Sequence, residues 1–341
     1  MVEIMKILVV GCGSIGERHI RNLKMLSVDK IIACDTNPDR LALIKDKYNI
    51  QETYMELQKA MDQRVDAVLV CTPPSTHIPI ALEAIDYKAH VFIEKPMSNS
   101  LDGVDELIKR ASKNELIICV GYNFRFHQGL KLVKEIVDRG EIGKILFARA
   151  ELGQYLPDWR PWQDYKQSYT AKKDLGGGII LDSSHEIDYM RWLLGDIEQI
   201  FCFAKKISTL EVETEDVAEI LLKFKSSAIG EIHLDFVRHD YSRTCEIIGE
   251  KGTIKWSYQD RFVKVYSRDA KRWKRFNIKA EPNDMYMQEM QHFLRCIDGL
   301  SAPLIDAIQG KRILEIALAA KESSEKGTAV NLPAASSGIL G

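Results

Sequence analysis

The sequence predicts an α/β protein: a doubly wound parallel sheet, then a second α/β domain on an open, largely antiparallel sheet. Three observations predict it. Short apolar runs alternate with helical patterns as far as Gly121, a glycine-rich turn closes the first run, and beyond Gly121 several strands alternate apolar with polar residues.

The first runs lie at 6–10, 31–35, 67–71, 91–94 and 116–121. They are largely apolar rather than alternating, as expected for parallel strands covered on both faces. Between them Leu41, Ile44 and Tyr48 recur at helical spacing. A further helix is expected with Ser100 as its N-cap and Leu101, Val104, Leu107, Ile108 and Ala111 as its apolar stripe. Strand–helix–strand alternation implies right-handed crossovers. The second half predicts a helix over 127–138, a half-buried strand over 145–152, an irregular stretch over 153–178, and a helix over 181–194 that stops at Gly195. Two hairpins are expected, 217–224 with 229–237 around Ser226-Ser227, and 245–248 with 253–256 around Glu250-Lys251-Gly252. Helices over 285–297 and 306–322 precede a small polar tail after Pro333, expected to fray.

With 341 residues, 45% hydrophobic and 28% charged, the composition is globular and allows two domains. A net charge of -2 gives no global field toward nucleic acid or anionic lipid. Lys271, Arg272, Lys274 and Arg275 alternate with Trp273 and Phe276, which reads as a solvated strand or turn. No apolar run is long enough to span a bilayer. The seven cysteines are scattered, with no Cys-x-x-Cys pair, which suits a reducing cytoplasm. No His/Cys set has metal-ligand spacing; the helix from His185 has Tyr189 where a zinc protease has its second histidine, so no metal is expected.

Gly11-Cys12-Gly13-Ser14-Ile15-Gly16 follows the first strand and opens a helix, and Asp35 closes the second strand. This is the context of a dinucleotide-binding turn. Gly11 permits the turn, Gly13 lets backbone approach a pyrophosphate, Gly16 lets helix and strand pack, and the helix N-terminus offers N–H groups to phosphate. Asp35 suits the ribose hydroxyls and repels a 2′-phosphate, so NAD is expected over NADP; Arg40 is expected near the adenine. Residues 1–122 are therefore read as an NAD-binding domain, and 123–341 as a substrate-binding and oligomerisation domain.

Further motifs are Glu94-Lys95-Pro96 at a strand end, and Gly176-Gly177-Gly178 followed by Asp182, His185, Asp188 and Trp192. Thr72-Pro73-Pro74 with His77, and Asn331-Leu332-Pro333 near the end, complete the set. In this order and spacing the chain resembles the Gfo/Idh/MocA family of oxidoreductases over nearly its whole length. The resemblance implies an N-terminal Rossmann domain, a C-terminal α/β domain with an open sheet, and an active site to which both contribute. It implies Lys95 beside the nicotinamide, His185 as its partner and Asp182 as the third member. Many members place that aspartate four residues before the histidine; here the offset is three, and Asp188 is an alternative. Thr72, Pro73, His77, Glu94 and Lys95 join the glycine loop as cofactor-binding residues. Asn123 and Arg125 either line the site or form a domain junction.

Oxidising a secondary alcohol sends a hydride from carbon to the cofactor and a proton from oxygen to a base. Burial and a positive nicotinamide both disfavour an ammonium, so Lys95 is suited to take that proton. His185 titrates near neutrality as a residue type and is suited to relay it. The loop carrying Tyr155, Trp159, Arg160 and Trp162 is long, and long loops are often functional. Aromatic faces stack on sugar rings and arginine grips carboxylate or phosphate, so the expected substrate is an anionic sugar: a nucleotide sugar, sugar phosphate or acidic sugar. Two other functions fit the same scaffold: epimerisation or glycoside hydrolysis through transient oxidation, and a non-catalytic cofactor-binding regulator. A homo-oligomer, dimer or tetramer, is expected through the C-terminal sheet, with Leu221, Phe224, Ile232 and Leu234 as candidate face residues.

Overall fold

The computed structural model describes residues 5–333 and divides into two compact units. The first comprises the described residues up to Asn123 together with Tyr286–Lys311; the second comprises Phe124–Met285 and the described residues from Arg312. The first unit therefore takes in a later segment as well as the stretch expected from sequence.

The first unit runs β1 (Lys6–Val10), α1 (Ser14–Met25), β2 (Lys30–Cys34), α2 (Pro38–Tyr48), β3 (Glu52–Tyr54), α3 (Leu57–Met61), β4 (Ala67–Val70), α4 (His77–Asp86), β5 (His90–Glu94), α5 (Val104–Lys113) and β6 (Ile118–Gly121). All pairings are parallel, in the order β3-β2-β1-β4-β5-β6. The order in which strands are added reverses between β1 and β4, so the crevice beyond their C-terminal ends is where such sheets take ligands. Ile7, Val9, Leu69 and Phe92 are buried, and Met290, Phe293 and Cys296 from the later segment join their core. That burial explains why 286–311 belongs to this unit: those apolar side chains cover one face of the parallel sheet.

The helix expected to start at Ser100 starts at Val104 instead. Gly103, with φ 72°, is its N-cap, and the Ser100 hydroxyl accepts from the Asp102 N–H in the preceding turn. Leu101 is exposed, whereas Val104, Leu107 and Ala111 are buried.

The second unit continues with α6 (Gln128–Asp138), β7 (Ile145–Gly153), α7 (Leu156–Trp159), α8 (Ile179–Asp182), α9 (Ser184–Leu194), β8 (Ile197–Lys205), β9 (Val217–Phe224), β10 (Ile229–Asp235), β11 (Ser242–Gly249), β12 (Gly252–Ser257), β13 (Phe262–Ser267) and β14 (Arg272–Asn277). After α10 (Asp284–Ile297) come α11 (Ala307–Lys326) and β15 (Val330–Asn331). Among the described residues one nine-stranded sheet runs β14-β13-β12-β11-β7-β10-β9-β8-β15. It is antiparallel except where β10 pairs with β7. Both expected hairpins are present. The basic–aromatic run is β14, an exposed edge strand.

Strict alternation corrects the list of face residues. Phe224, Ile232 and Leu234 are fully buried, whereas Leu221 is 49% exposed. Leu221 lies three residues before Phe224, and an odd separation puts two side chains on opposite faces of a strand. The exposed face carries Leu221, Phe203 and Ile229 instead. The tail after Pro333 lies outside the described residues.

Candidate active site

In the first unit the site starts at the turn after β1. Gly11 has φ 89°, and a Cβ there would lie 2.7 Å from the Cys71 carbonyl carbon. At Gly16 a Cβ would lie 1.9 Å from the Gly11 oxygen, so helix and turn pack as closely as backbone allows. At Gly13 nothing comes within 4 Å. Gly13 caps α1 without a side-chain hydrogen bond, and the first intrahelical bond is Glu17 N–H to the Gly13 carbonyl at 2.9 Å, which leaves the N–H groups of Ser14, Ile15 and Gly16 without intrahelical acceptors. An uncapped N-terminus facing open space fits a pyrophosphate.

Asp35 fixes the turn from the side. Its Oδ2 accepts from the Cys12 N–H at 2.6 Å and its Oδ1 from the Asn37 N–H at 2.8 Å. Each carboxylate oxygen keeps acceptor capacity for a ribose hydroxyl. Arg40 is turned inward: Nε and Nη2 donate to the Cys12 carbonyl at 2.9 and 2.6 Å, and Nη2 donates to Glu17 at 2.8 Å. Burial pushes the Cys12 thiol up to about 12, reinforced by Asp35.

At the end of β4, the Thr72 hydroxyl accepts from Thr76, and the Pro73 carbonyl accepts from the Thr76 N–H and hydroxyl. His77 is buried, with Nε2 2.8 Å from the Thr72 carbonyl and Nδ1 3.0 Å from the Pro96 carbonyl. It thus ties the Thr72-Pro73 turn to the Lys95-Pro96 turn rather than facing solvent. Burial holds its pKa below the usual value despite those carbonyls. Glu94 ends β5, and its Oε1 lies 2.6 Å from Nε2 of His19 on α1, which is fully buried. Its Oε2 accepts from the Lys95 N–H at 3.2 Å. Lys95 leads out of β5 half-buried, at the strand ends where the glycine turn and Asp35 also lie. Asn123 follows β6, is buried, and is hydrogen-bonded through its side chain to Tyr286.

In the second unit the helix expected over 181–194 is broken. α8 ends at Asp182, Ser183 takes φ -101° and ψ 29°, and α9 begins at Ser184. Asp182 and His185 therefore stand on two helices, not on one helix face. The Asp182 carboxylate accepts from the Tyr169 hydroxyl and the Thr170 hydroxyl, each at 2.7 Å. His185 is buried in the first turn of α9, its ring 4.9 Å from that of Phe124. Ser183, at the break, is buried with no partner for its hydroxyl among the described residues.

Asp188 and Arg125 form a buried ion pair: Nε lies 3.1 Å from both carboxylate oxygens and Nη2 2.7 Å from Oδ1. A second buried pair joins Glu186 to Arg243 at 2.7 and 3.0 Å, and the Arg243 guanidinium lies 4.1 Å from the Phe124 ring centre. Two arginine–carboxylate pairs thus brace α9 within three residues after His185.

The loop after β7 holds Tyr155, whose ring lies 4.3 Å from that of His239. Trp159 donates to the Gln154 carbonyl at 3.1 Å and packs edge-on against Phe236. Trp162 is 75% exposed. Leu156, Trp159, Arg160, Gln163, Tyr165, Ser168 and Thr170 line a shallow recess open to solvent. The half-buried Arg160 guanidinium makes no hydrogen bond or ion pair among the described residues. Thr170 links the recess wall to Asp182.

Sequence reasoning passed over Glu17, His19, Glu186 and Arg243. The only local signal that could have marked Glu17 is the bias of acidic residues toward a helix's first turn. His19, Glu186 and Arg243 join partners distant in sequence, and nothing local marks such pairs. Among the described residues no three His, Cys, Asp or Glu side chains cluster as metal ligands, and no helix is long and apolar enough to cross a membrane.

A six-stranded parallel sheet with a glycine turn, an uncapped helix and an acidic strand end defines a nucleotide-binding Rossmann unit. Residues 5–122 match the oxidoreductase family with NAD-binding Rossmann fold, and residues 130–255 match the GFO/IDH/MocA C-terminal domain. The chain belongs to the Gfo/Idh/MocA family of oxidoreductases. It is 32% identical to myo-inositol 2-dehydrogenase of Thermotoga maritima, covering 96% of this chain and 98% of that one. It is 26% identical to scyllo-inositol 2-dehydrogenase (NAD(+)) of Bacillus subtilis, covering 95% of each. The fold is similar to that of the WlbA dehydrogenase of Bordetella pertussis in complex with NADH and UDP-GlcNAcA (TM-score 0.82, 22% identity, 97% and 99% covered). Levoglucosan dehydrogenase in complex with NADH and L-sorbose gives a TM-score of 0.86 at 19% identity, with 96% and 99% covered.

Proposed function

We propose that this chain oxidises a secondary carbinol of a sugar-like polyol, using NAD in preference to NADP. The observation that carries this reading is the position of Lys95, half-buried just past β5 at the same C-terminal edge of the parallel sheet as the glycine turn and Asp35. The dehydrogenases named above act on inositols or were solved with NADH and a sugar or sugar nucleotide, which supports the substrate class.

The N–H groups at the start of α1 would hold the pyrophosphate and Asp35 the adenosine ribose. When bound, the nicotinamide accepts the hydride. Lys95 takes the proton from the carbinol oxygen, and His185 serves the same proton transfer. Asp182 holds Tyr169 and Thr170 in place near the start of α9. Arg125 and Asp188 satisfy each other, so they brace rather than bind substrate. Arg160 has a free guanidinium in a recess with Trp159, which suits a carboxylate or phosphate on the substrate. The exposed Phe203, Leu221 and Ile229 on one face of the second sheet form an apolar surface suited to a second copy of the chain. Seven buried free thiols suit a reducing cytoplasm.

The test is purified protein with NAD⁺ and a panel of neutral polyols, sugar acids, sugar phosphates and nucleotide sugars, following reduced nicotinamide. NADH should accumulate with at least one anionic sugar and form more slowly with neutral ones. Turnover without net NADH contradicts simple dehydrogenation, and equal rates on neutral and anionic sugars contradict the anionic preference.

A further inference from the structure

The arginine best placed to read a 2′-phosphate is occupied. Arg40 starts only five residues after Asp35. Its guanidinium is bonded to the carbonyl of Cys12, the same residue whose N–H is bonded to Asp35. It therefore lies a peptide unit away from the carboxylate that would face the ribose. Arginine in such a position is the chemistry that accommodates a 2′-phosphate. Here Glu17 on α1 accepts from Arg40 Nη2 at 2.8 Å, from Lys47 Nζ at 2.8 Å and from the Tyr48 hydroxyl at 2.9 Å. Burial alone would raise the Glu17 pKa; the hydrogen bonds from Lys47, Arg40 and Tyr48 outweigh it and hold it at about 2. The clamp is therefore fully charged at any working pH.

We infer that Glu17 is a specificity-determining residue: it withholds Arg40 from the 2′-position, so that NADP is refused through the lack of a cation as well as through the Asp35 charge. This rests on the proposed preference for NAD. The cost of refusing NADP is then shared between two carboxylates of distinct action. Asp35 repels the phosphate directly, and Glu17 removes the group that would compensate it.

The consequence is non-additive. Asp35→Asn removes the repulsion and keeps an acceptor for the Cys12 N–H, yet NADPH should still bind weakly because Arg40 stays clamped. Adding Glu17→Gln should free Arg40 and tighten NADPH at least about tenfold over Asp35→Asn alone, the scale of a charge-assisted hydrogen bond to phosphate. NADH affinity should move by less than about threefold between those two variants. Adding Arg40→Ala as a third change should cancel the gain, and the gain should shrink as salt is raised.

The readout is binding to the full-length protein, by titration calorimetry or nicotinamide fluorescence with NADH and NADPH, and with 2′-AMP as a fragment probe. Melting curves accompany each variant. A merely structural ion pair between α1 and α2 would lower the melting temperature and leave the NADPH/NADH ratio unmoved, and that result overturns the inference. So does a gain that survives Arg40→Ala. Should Glu17→Gln fold poorly, Arg40→Ala in the Asp35→Asn background decides. NADPH binding unchanged supports a withheld arginine, and weakened NADPH binding shows that Arg40 already reaches the phosphate. Wild-type preference for NADPH overturns the NAD reading itself; wild-type preference for NADH with no gain in the double variant overturns this inference alone.

Discussion

Arg40 in the nucleotide-binding unit and Arg160 in the second unit are both half-buried, but their charges are handled in opposite ways. Arg40 makes three hydrogen bonds within its own unit, to Cys12 and Glu17. Arg160 lines a recess beside Trp159 and makes none among the described residues. Between these extremes stand Arg125 and Arg243, buried and each matched to one carboxylate. The difference teaches where a ligand is expected to supply a missing partner. The cofactor edge has its charges settled before anything binds, whereas the 153–178 loop retains an unspent cation for a variable substrate.

The comparison breaks most visibly if a settled arginine is deprived of its partner. Glu186→Ala leaves Arg243 buried and uncompensated, and should destabilise the fold by about 3–5 kcal/mol. Denaturant titration checks this, and Glu186→Ala with Arg243→Met should recover much of the loss. Arg160→Ala is the contrasting case. It should change stability by no more than about 0.5 kcal/mol, yet raise KM for an anionic sugar roughly 10–100-fold, with kcat little changed. A fall in melting temperature with no change in KM would make Arg160 a structural group like Arg243.

A smaller effect separates two histidines of the second unit. His127 is held down at about 4, first by burial and then by the Arg243 charge. The fold favours its neutral ring, so its contribution is present above its ordinary value of 6.5 and is lost as pH falls toward 4. His233 is pushed up to about 9 by its hydrogen bond to Asp235, with burial opposing and Glu219 adding to the rise. Its contribution is complete below 6.5 and disappears as pH rises through 9. Melting temperature against pH should therefore fall on both flanks. His233→Gln should flatten only the alkaline flank, and a variant that alters the acid flank instead would contradict the assignment.

The parallel sheet was legible because its buried strands are each built around a short apolar run, as in Val68 to Val70, and because Gly11, Gly13 and Gly16 suit that turn. β3, three residues long and half-buried, left no such trace. Ser100 looked like a helix cap because its hydroxyl does cap a turn, but Gly103 offered the left-handed geometry that starts α5. The break at Ser183 was hidden because neither glycine nor proline interrupts residues 179–194. What separates Asp182 from α9 is a pair of hydroxyl donors, Tyr169 and Thr170, arriving from the preceding loop. Leu221 was misassigned because hydrophobicity alone does not tell which face of an alternating strand is covered. At the candidate site the residue types and the local turns could be read directly. The long-range partners, His19 with Glu94 and Arg243 with Glu186, depend on tertiary pairing that local patterns do not encode.

The most direct test of the central claim is a double-mutant cycle on kcat/KM with Lys95→Ala, His185→Ala and the pair, using the best substrate from the panel and NAD⁺. General acid–base help of this kind contributes about 10²–10⁴-fold. Each single variant should lose about that much, and the pair should be scarcely worse than the poorer single, as for groups acting on one proton. Losses that multiply, or a Lys95→Ala enzyme that keeps near-normal turnover, would contradict it.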